Sequence, residues 1–325
     1  EPLAGVAGLV SEFGEMFEVA CDVTLVPGEQ DRFDVGEVLV QVYGSHRAVD
    51  DLSFSAPAGQ VTGFLGPNGA GKTTTLRCLL GLAQPTSGAA LIGGRPYRDL
   101  DEPRRQVGAV LESTGFHPAR SGRDHLHVIA RAGRLDPGRI DSLLELVGLT
   151  SAANRRVGGY SLGMRQRLGL AAAMLGDPGI VVLDEPANGL DPEGVAWVRQ
   201  LLRTWADQGH TVLVSSHLLA EVAQVVDRVV IVAAGRLMTE TEVAALTGSR
   251  VLVRVDQPSA MSAALAAVGV AHETLTDGAI SVDGTDPAEV GAIAQRAGVT
   301  VAELSRQSAG ETLEAMFLAA TGGVR

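Results

Sequence analysis

Between Phe33 and Gly248 short apolar runs alternate with longer segments of helical spacing. Gln60–Leu65 (QVTGFL), Val107–Leu111 (VGAVL), Ile180–Asp184 (IVVLD), Thr211–Val214 and Arg228–Val232 are too short and too apolar for amphipathic helices, and read as buried strands. Leu76, Leu79 and Leu80 recur at helical intervals, and so does the run from Met164. Trp197, Leu201 and Trp205 share the same period and are expected to face a core. Phe33–Phe54 reads as two strands about a turn at Tyr43-Gly44-Ser45-His46. Ser121 with Asp124 opens a helix over Asp124–Arg134, and Gly138–Val147 reads as a second. A helical subdomain is therefore expected at about 115–176, inside an α/β domain over 33–248. After Gly248 the pattern changes. VLVRV (Val251–Val255), an Ala-rich helix to Ala267, strands at His272–Leu275 and Ala279–Val282, a helix over Pro287–Ala297 and a strand from Val299 give the order βαββαβ. That order predicts a small α+β, ferredoxin-like domain over 249–325, closed by a helix at Glu311–Ala320. Residues 1–32 fit neither pattern. Val10, Phe13, Phe17 and Ala20 have helical spacing, with Glu12, Glu15 and Glu18 between them. The segment is read as an N-terminal extension outside the main fold, joined by a linker at Pro27-Gly28.

The strand Gln60–Leu65 runs into GPNGAGKTT, which fits the phosphate-binding pattern G-x-x-x-x-G-K-[ST] through Gly66, Gly71, Lys72 and Thr73. Glycines let the backbone curl with its N–H groups inward, and the following helix directs its positive end at the anion. Lys72 is the chain's sole lysine, every other basic side chain of this type being arginine. A compact ammonium fits between phosphates inside a tight loop, whereas a planar guanidinium does not. Its charge is expected to stay exposed until phosphate arrives. The strand Ile180–Asp184 ends in adjacent acids, Asp184 and Glu185. Beside a phosphate loop, one acid can hold magnesium through water and the other can polarise an attacking water. Thr73 can ligate the same metal through its hydroxyl. Strand Thr211–Val214 leads to Ser215-Ser216-His217, and a histidine at a strand's carboxyl end points to the ligand edge of an α/β sheet.

Bulk properties narrow the partners. A net charge of −12 argues against general nucleic-acid binding. Cys21 and Cys78 form no disulfide framework, which fits a reducing cytoplasm. No uninterrupted apolar run is long enough to span a bilayer, and the N-terminus lacks the basic-then-apolar design of a secretory signal. A membrane role would therefore need a partner chain. His117, His125 and His127 lack metal-ligand spacing and read as ordinary polar or capping residues.

GPNGAGKTT, YSLGMRQRL, IVVLDEP, NGLDP and the histidine His217 follow one another in the order of the ATP-binding subunit of an ABC transporter, and Phe33–Gly248 strongly resembles that family. The C-terminal part, including TLEAMFLAATG from Thr312, resembles the drug- and antibiotic-resistance branch. The resemblance implies ATP and Mg2+ as ligands. Tyr43 matches the adenine-stacking aromatic, and Gly66, Asn68, Gly69, Gly71, Lys72, Thr73 and Thr74 match the phosphate loop. Ser161 and Gly163 match the signature that contacts the γ-phosphate held by a second subunit, and Asp191 matches the dimer-contact loop. Asp184 matches the magnesium-supporting acid, Glu185 the general base and His217 the γ-phosphate switch. Two departures stand out. Tyr160 and Leu162 flank Ser161 where Leu and Gly are commonest, and Glu112 stands where a magnesium-binding Gln is usual. A Glu there resembles the lantibiotic-immunity and bacitracin-resistance transporters. The resemblance implies an ATPase on the cytoplasmic face of the membrane, paired with a second ATP-binding subunit and driving export through a separate transmembrane permease. The alternative is a soluble ABC ATPase acting on ribosomes or DNA. A non-catalytic module is disfavoured because Glu185 and His217 are both present.

Overall fold

A computed structural model describes residues 33–43, 46–111, 115–218, 222–246, 251–275, 278–306 and 309–321. The first strand pair forms as expected: β1 (Phe33–Tyr43) and β2 (His46–Ala56) run antiparallel, with Tyr43 opposite His46. β3 (Val61–Leu65) is buried at every position and leads to α1 (Lys72–Leu79), whose Leu76 and Leu79 are fully buried. β4 (Leu91–Ile92) pairs with β1 and completes a three-stranded sheet, β2-β1-β4. The remaining apolar runs become β5 (Val107–Val110), β6 (Ile180–Asp184), β7 (Thr211–Ser216) and β8 (Arg228–Ala233). With β9 (Arg236–Glu242) they join β3 in a six-stranded sheet ordered β5-β6-β7-β3-β8-β9. The pairs β5-β6, β6-β7, β7-β3 and β3-β8 are all parallel. Parallel strands covered on both faces need apolar side chains in both directions, which is why these runs do not alternate. Phe54 stacks on Phe64 with ring centroids 4.8 Å apart, joining β2 to β3 within one core.

The helical insertion contains α2 (Gly122–Gly133), α3 (Ile140–Leu146) and α4 (Leu162–Ala173). Ser121 caps α2: its hydroxyl accepts from Asp124 N over 3.1 Å and donates to the Asp124 carboxylate over 2.7 Å. The second predicted helix begins as a single 3-10 turn at Pro137–Arg139, because Pro137 has no N–H to give and Asp136 caps the turn through Gly138 N. Leu126, Ile140, Leu144 and Leu168 are essentially fully buried, one or two from each helix. α5 (Pro192–Asp207) follows β6 and buries Val198, Leu201, Leu202 and Trp205. Trp197 departs from the core expectation: it is half-buried, and the Arg167 guanidinium of α4 lies 4.4 Å above its ring. That geometry is a cation–π contact between the insertion and α5. His125 departs as well. It is buried against Phe116, with rings 4.8 Å apart, and burial, with the nearby charge of Arg120, holds its imidazole below the usual range.

A second compact unit runs from Thr241 to Ala319, beginning earlier than the boundary expected after Gly248. It contains β10 (Val251–Val255), α6 (Pro258–Ala267), β11 (His272–Thr274), β12 (Ile280–Val282), α7 (Pro287–Ala297) and β13 (Val301–Arg306). Its sheet is antiparallel in the order β11-β12-β10-β13. Val251, Val253, Met261, Leu265, Ile280, Val282, Val290 and Ile293 form its separate core. α8 (Ala309–Thr321) is the last helix. Residues 1–32, with Cys21, lie outside the described residues. Among the described residues, no helix is long and apolar enough to cross a membrane.

Candidate active site

β6, β7 and β3 are neighbours in the sheet, and each ends, on the same edge, in one part of the site. A crevice at the carboxyl ends of parallel strands is where open α/β sheets bind ligands. The loop after β3 is glycine-dependent at two points. A Cβ on Gly66 would lie 2.3 Å from Val232 O, and one on Gly71 would lie 2.3 Å from Ala48 O. Gly71 also holds φ of 97°, which places it in the left-handed region as α1 starts. The Lys72 ammonium folds back over the loop and donates to Gly66 O at 2.8 Å and Pro67 O at 3.3 Å. It is only 6% exposed and lies 3.3 Å from Glu185 Oε1. The expectation of an exposed charge is thus corrected: the ammonium is held by two carbonyls and a carboxylate.

The adjacent acids take separate partners. Asp184 is buried beneath the loop, where Oδ2 accepts from Thr73 Oγ1 at 2.8 Å and Oδ1 accepts from Ser215 Oγ at 2.6 Å. Glu185 has φ of 50°, outside the strand range and uncommon for a residue with a Cβ. Such a conformation costs on the order of 1–3 kcal/mol, and here it turns the second carboxylate away from the first. Glu185 Oε2 lies 2.8 Å from His217 Nδ1 and accepts from His217 N at 3.3 Å. Ser215 was not singled out from the sequence. Its hydroxyl also accepts from Glu185 N at 3.0 Å, so one serine orients both acids. The only signal for it was its place next to Ser216-His217 at a strand end.

An open cleft of about 600 Å³ faces these groups. It is lined by Ala48, Asn68, Gly69, Gly71, Lys72, Thr73, Thr74, Glu185, Asn188 and His217. Gly66 and Asp184 stand behind this lining and hold its members in place. Asn188 and Ala48 are additions to the residues expected from sequence. Ser161, Gly163 and Asp191 are not among the described residues lining the cleft. Ser161 is exposed and caps α4, accepting from Met164 N at 3.2 Å. Asp191 caps α5, accepting from Gly194 N at 2.8 Å. The Tyr43 side chain and Glu112 lie outside the described residues.

Tyr160 has a structural explanation. It is 3% exposed, and its hydroxyl donates to Ala152 O at 2.7 Å, tying the segment before Ser161 to the helical insertion. Gly122 makes room for it, since a Cβ there would lie 2.4 Å from Tyr160 Oη. Burial pushes the phenol above its usual range. Tyr160→Phe is expected to leave the Ala152 carbonyl without this partner and destabilise the fold by about 1–3 kcal/mol. Urea denaturation of the two proteins would measure this, and an unchanged midpoint would remove Tyr160 as the anchor.

The cleft and its surroundings have counterparts in known proteins. The family model described as ABC transporter matches residues 49–188, and a model described as a domain of unknown function matches residues 249–314. The bacitracin transport ATP-binding protein BcrA of Bacillus licheniformis is 43% identical over 205 residues, covering 62% of this chain and 67% of that protein. The lantibiotic transport ATP-binding protein SrtF of Streptococcus pyogenes is 35% identical over 206 residues, covering 63% of this chain and 88% of that protein. A solved structure of the ATP-binding subunit of an ABC transporter superposes with a TM-score of 0.60 at 27% identity, covering 69% of this chain and 92% of that one. Motif order, sheet topology, cleft geometry and these likenesses agree: the chain belongs to the family of ABC transporter ATP-binding proteins.

Proposed function

We propose that the chain is the ATP-hydrolysing subunit of an exporter, acting as one of two ATP-binding subunits beneath a separate transmembrane permease, on the cytoplasmic face of the membrane. The observation that carries this reading is the cleft itself. Lys72, Thr73, Asp184, Glu185 and His217 converge on it from three adjacent strand ends, while Ser161 is exposed and is not among its described lining residues. A signature that does not line this cleft, among the described residues, is explained if it serves the site of another chain. The named relatives transport bacitracin and lantibiotics, so an antibiotic or peptide is the proposed cargo class. Nothing in the cleft favours the ribosomal or DNA alternative.

Within this reading, Tyr43 stacks on the adenine, and Asn68, Gly69, Gly71, Lys72 and Thr74 cradle the phosphates. Lys72 must exchange Glu185 for the phosphates as ATP enters. Glu185 then faces the attacking water as general base, and His217, bonded to the same carboxylate, positions the γ-phosphate end. The oxygen donors Thr73 and Asp184, 2.8 Å apart, suit a hard divalent ion, and magnesium binds through one or two carboxylates together with substrate phosphates. Bound there, Mg2+ would neutralise charge developing on the phosphates. Glu112 is assigned to the same metal on resemblance alone.

The test is the pairing. Ser161→Arg is expected to leave ATP binding by the isolated chain nearly unchanged and to block ATP-dependent dimerisation, because a bulky cation replaces the hydroxyl at the opposing γ-phosphate. Removing this cap also lowers stability by about 0.5–2 kcal/mol, so a melting curve accompanies the binding assay. Equal loss of monomer binding would place Ser161 in its own chain's site. Co-purification with a polytopic membrane protein from an adjacent reading frame tests the export half.

A further inference from the structure

The turn between β8 and β9 is bonded on one side to the phosphate loop and on the other to β2. Gly235 N donates to Ala70 O at 3.1 Å, and Asp50 N donates to Gly235 O at 2.8 Å. The fit leaves no room for a side chain. A Cβ on Gly235 would sit 2.9 Å from Ala48 O and 3.0 Å from Asp50 N, and the residue holds φ of 78°. Ala234 has φ of 50° and Asp51 has φ of 61°, so two residues with side chains take the left-handed region next to this contact. Such conformations persist only where the surroundings over-determine them. Arg236 ties the turn down: its Nε and Nη2 donate to Asp50 Oδ2 at 2.9 and 2.6 Å. Arg47 Nη1 donates to Asp50 Oδ1 at 2.8 Å.

A trans peptide group is planar, with its C=O and N–H pointing in opposite directions. Holding Ala70 O on Gly235 N therefore aims the N–H of the same peptide, that of Gly71, away from the turn. Gly71 lines the cleft, and Gly235 is not among its described lining residues. We propose that Gly235 is a positioning residue that aims the Gly71 N–H at the nucleotide's phosphates through Ala70 O. Asp50 and Arg236 fix its place against β2. This rests on the reading above that the loop cradles the phosphates. The turn acts on a phosphate donor alone, so its effect is confined to phosphate binding and spares binding of the base.

The test uses the full chain and two fluorescent probes, trinitrophenyl-labelled ADP and trinitrophenyl-labelled adenosine, the second without phosphate. Gly235→Ala puts a methyl against Ala48 O and Asp50 N, so the turn must draw back from Ala70. A hydrogen bond to a charged group is worth about 10- to 100-fold in affinity, and ADP affinity is expected to fall by up to that factor. Adenosine affinity is expected to stay unchanged. Equal loss of both, or unchanged ADP affinity, in a chain that still unfolds cooperatively would overturn the proposal. Asp50→Ala is the second variant. The two guanidiniums it releases are 63% and 64% exposed, and ion pairs of that kind add little to stability. Charge alone would then tighten ADP binding, because two cations lose their counterion. Loss of the turn's anchor weakens it instead, so the two accounts differ in sign. A severalfold weakening for ADP with none for adenosine is expected, and equal or tighter ADP binding would overturn the proposal. An unaltered chain that binds ADP no better than adenosine would overturn the phosphate-loop reading and this proposal with it. A clear preference for ADP that neither variant disturbs would overturn this proposal alone.

Discussion

Glu185→Gln is expected to bind Mg-ATP, hydrolyse it at least about 10²–10⁴-fold more slowly than the unaltered chain, and accumulate as a closed dimer. The range is that of general-base assistance, which a carboxamide cannot give. The geometry adds a second expectation. Glu185 shares its oxygens between Lys72, at 3.3 Å, and His217, at 2.8 Å. Glutamine keeps the shape and can still meet His217, but it no longer holds the ammonium by charge. Lys72 is then freer to meet phosphate, so ATP affinity should stay equal or rise. Single-turnover hydrolysis with equilibrium binding separates the two effects. Near wild-type hydrolysis would show that Glu185 is not the base, while a large loss of affinity would show that it mainly shapes the loop.

Lys72→Ala is expected to abolish detectable hydrolysis by removing phosphate binding. Hydrogen bonds to charged groups contribute about 1.5–3 kcal/mol each, so even one lost contact to phosphate weakens binding about 10- to 100-fold. Burial makes the variant less innocent than a surface change: Gly66 O, Pro67 O and Glu185 all lose a partner. Lys72→Arg separates charge from shape, because it restores a cation that is too wide and planar for the loop. Both variants are expected to lose activity, with thermal unfolding still cooperative. Normal hydrolysis in either one would remove the ammonium from the phosphate site.

The sequence was most legible where local chemistry allows one solution. β3, β6, β7 and β8 are buried on both faces, so their apolar runs are unbroken and their bounds matched within a residue or two. The glycine-built curl before α1 and the helix start at Ser121 were visible because only a few residue types satisfy those backbone positions. Trp197 misled because helical spacing reports a face without reporting what covers it, and here the cover is an arginine from another helix. Ser215 was missed for a related reason: a hydroxyl becomes informative only when its acceptor is known.

By itself the sequence determined the elements, the order of the motifs and the family, because periodicity, capping and a phosphate loop are set by residues close together in the chain. Tertiary structure decided what depends on distance across the sheet. The strand order β6-β7-β3 brings Asp184, His217 and Lys72 together from positions far apart in sequence. The same packing buries Lys72 against Glu185 and sets Gly235 against Ala70. Such contacts leave no periodic trace, because each is fixed by the close packing of whole elements rather than by the torsions of one segment.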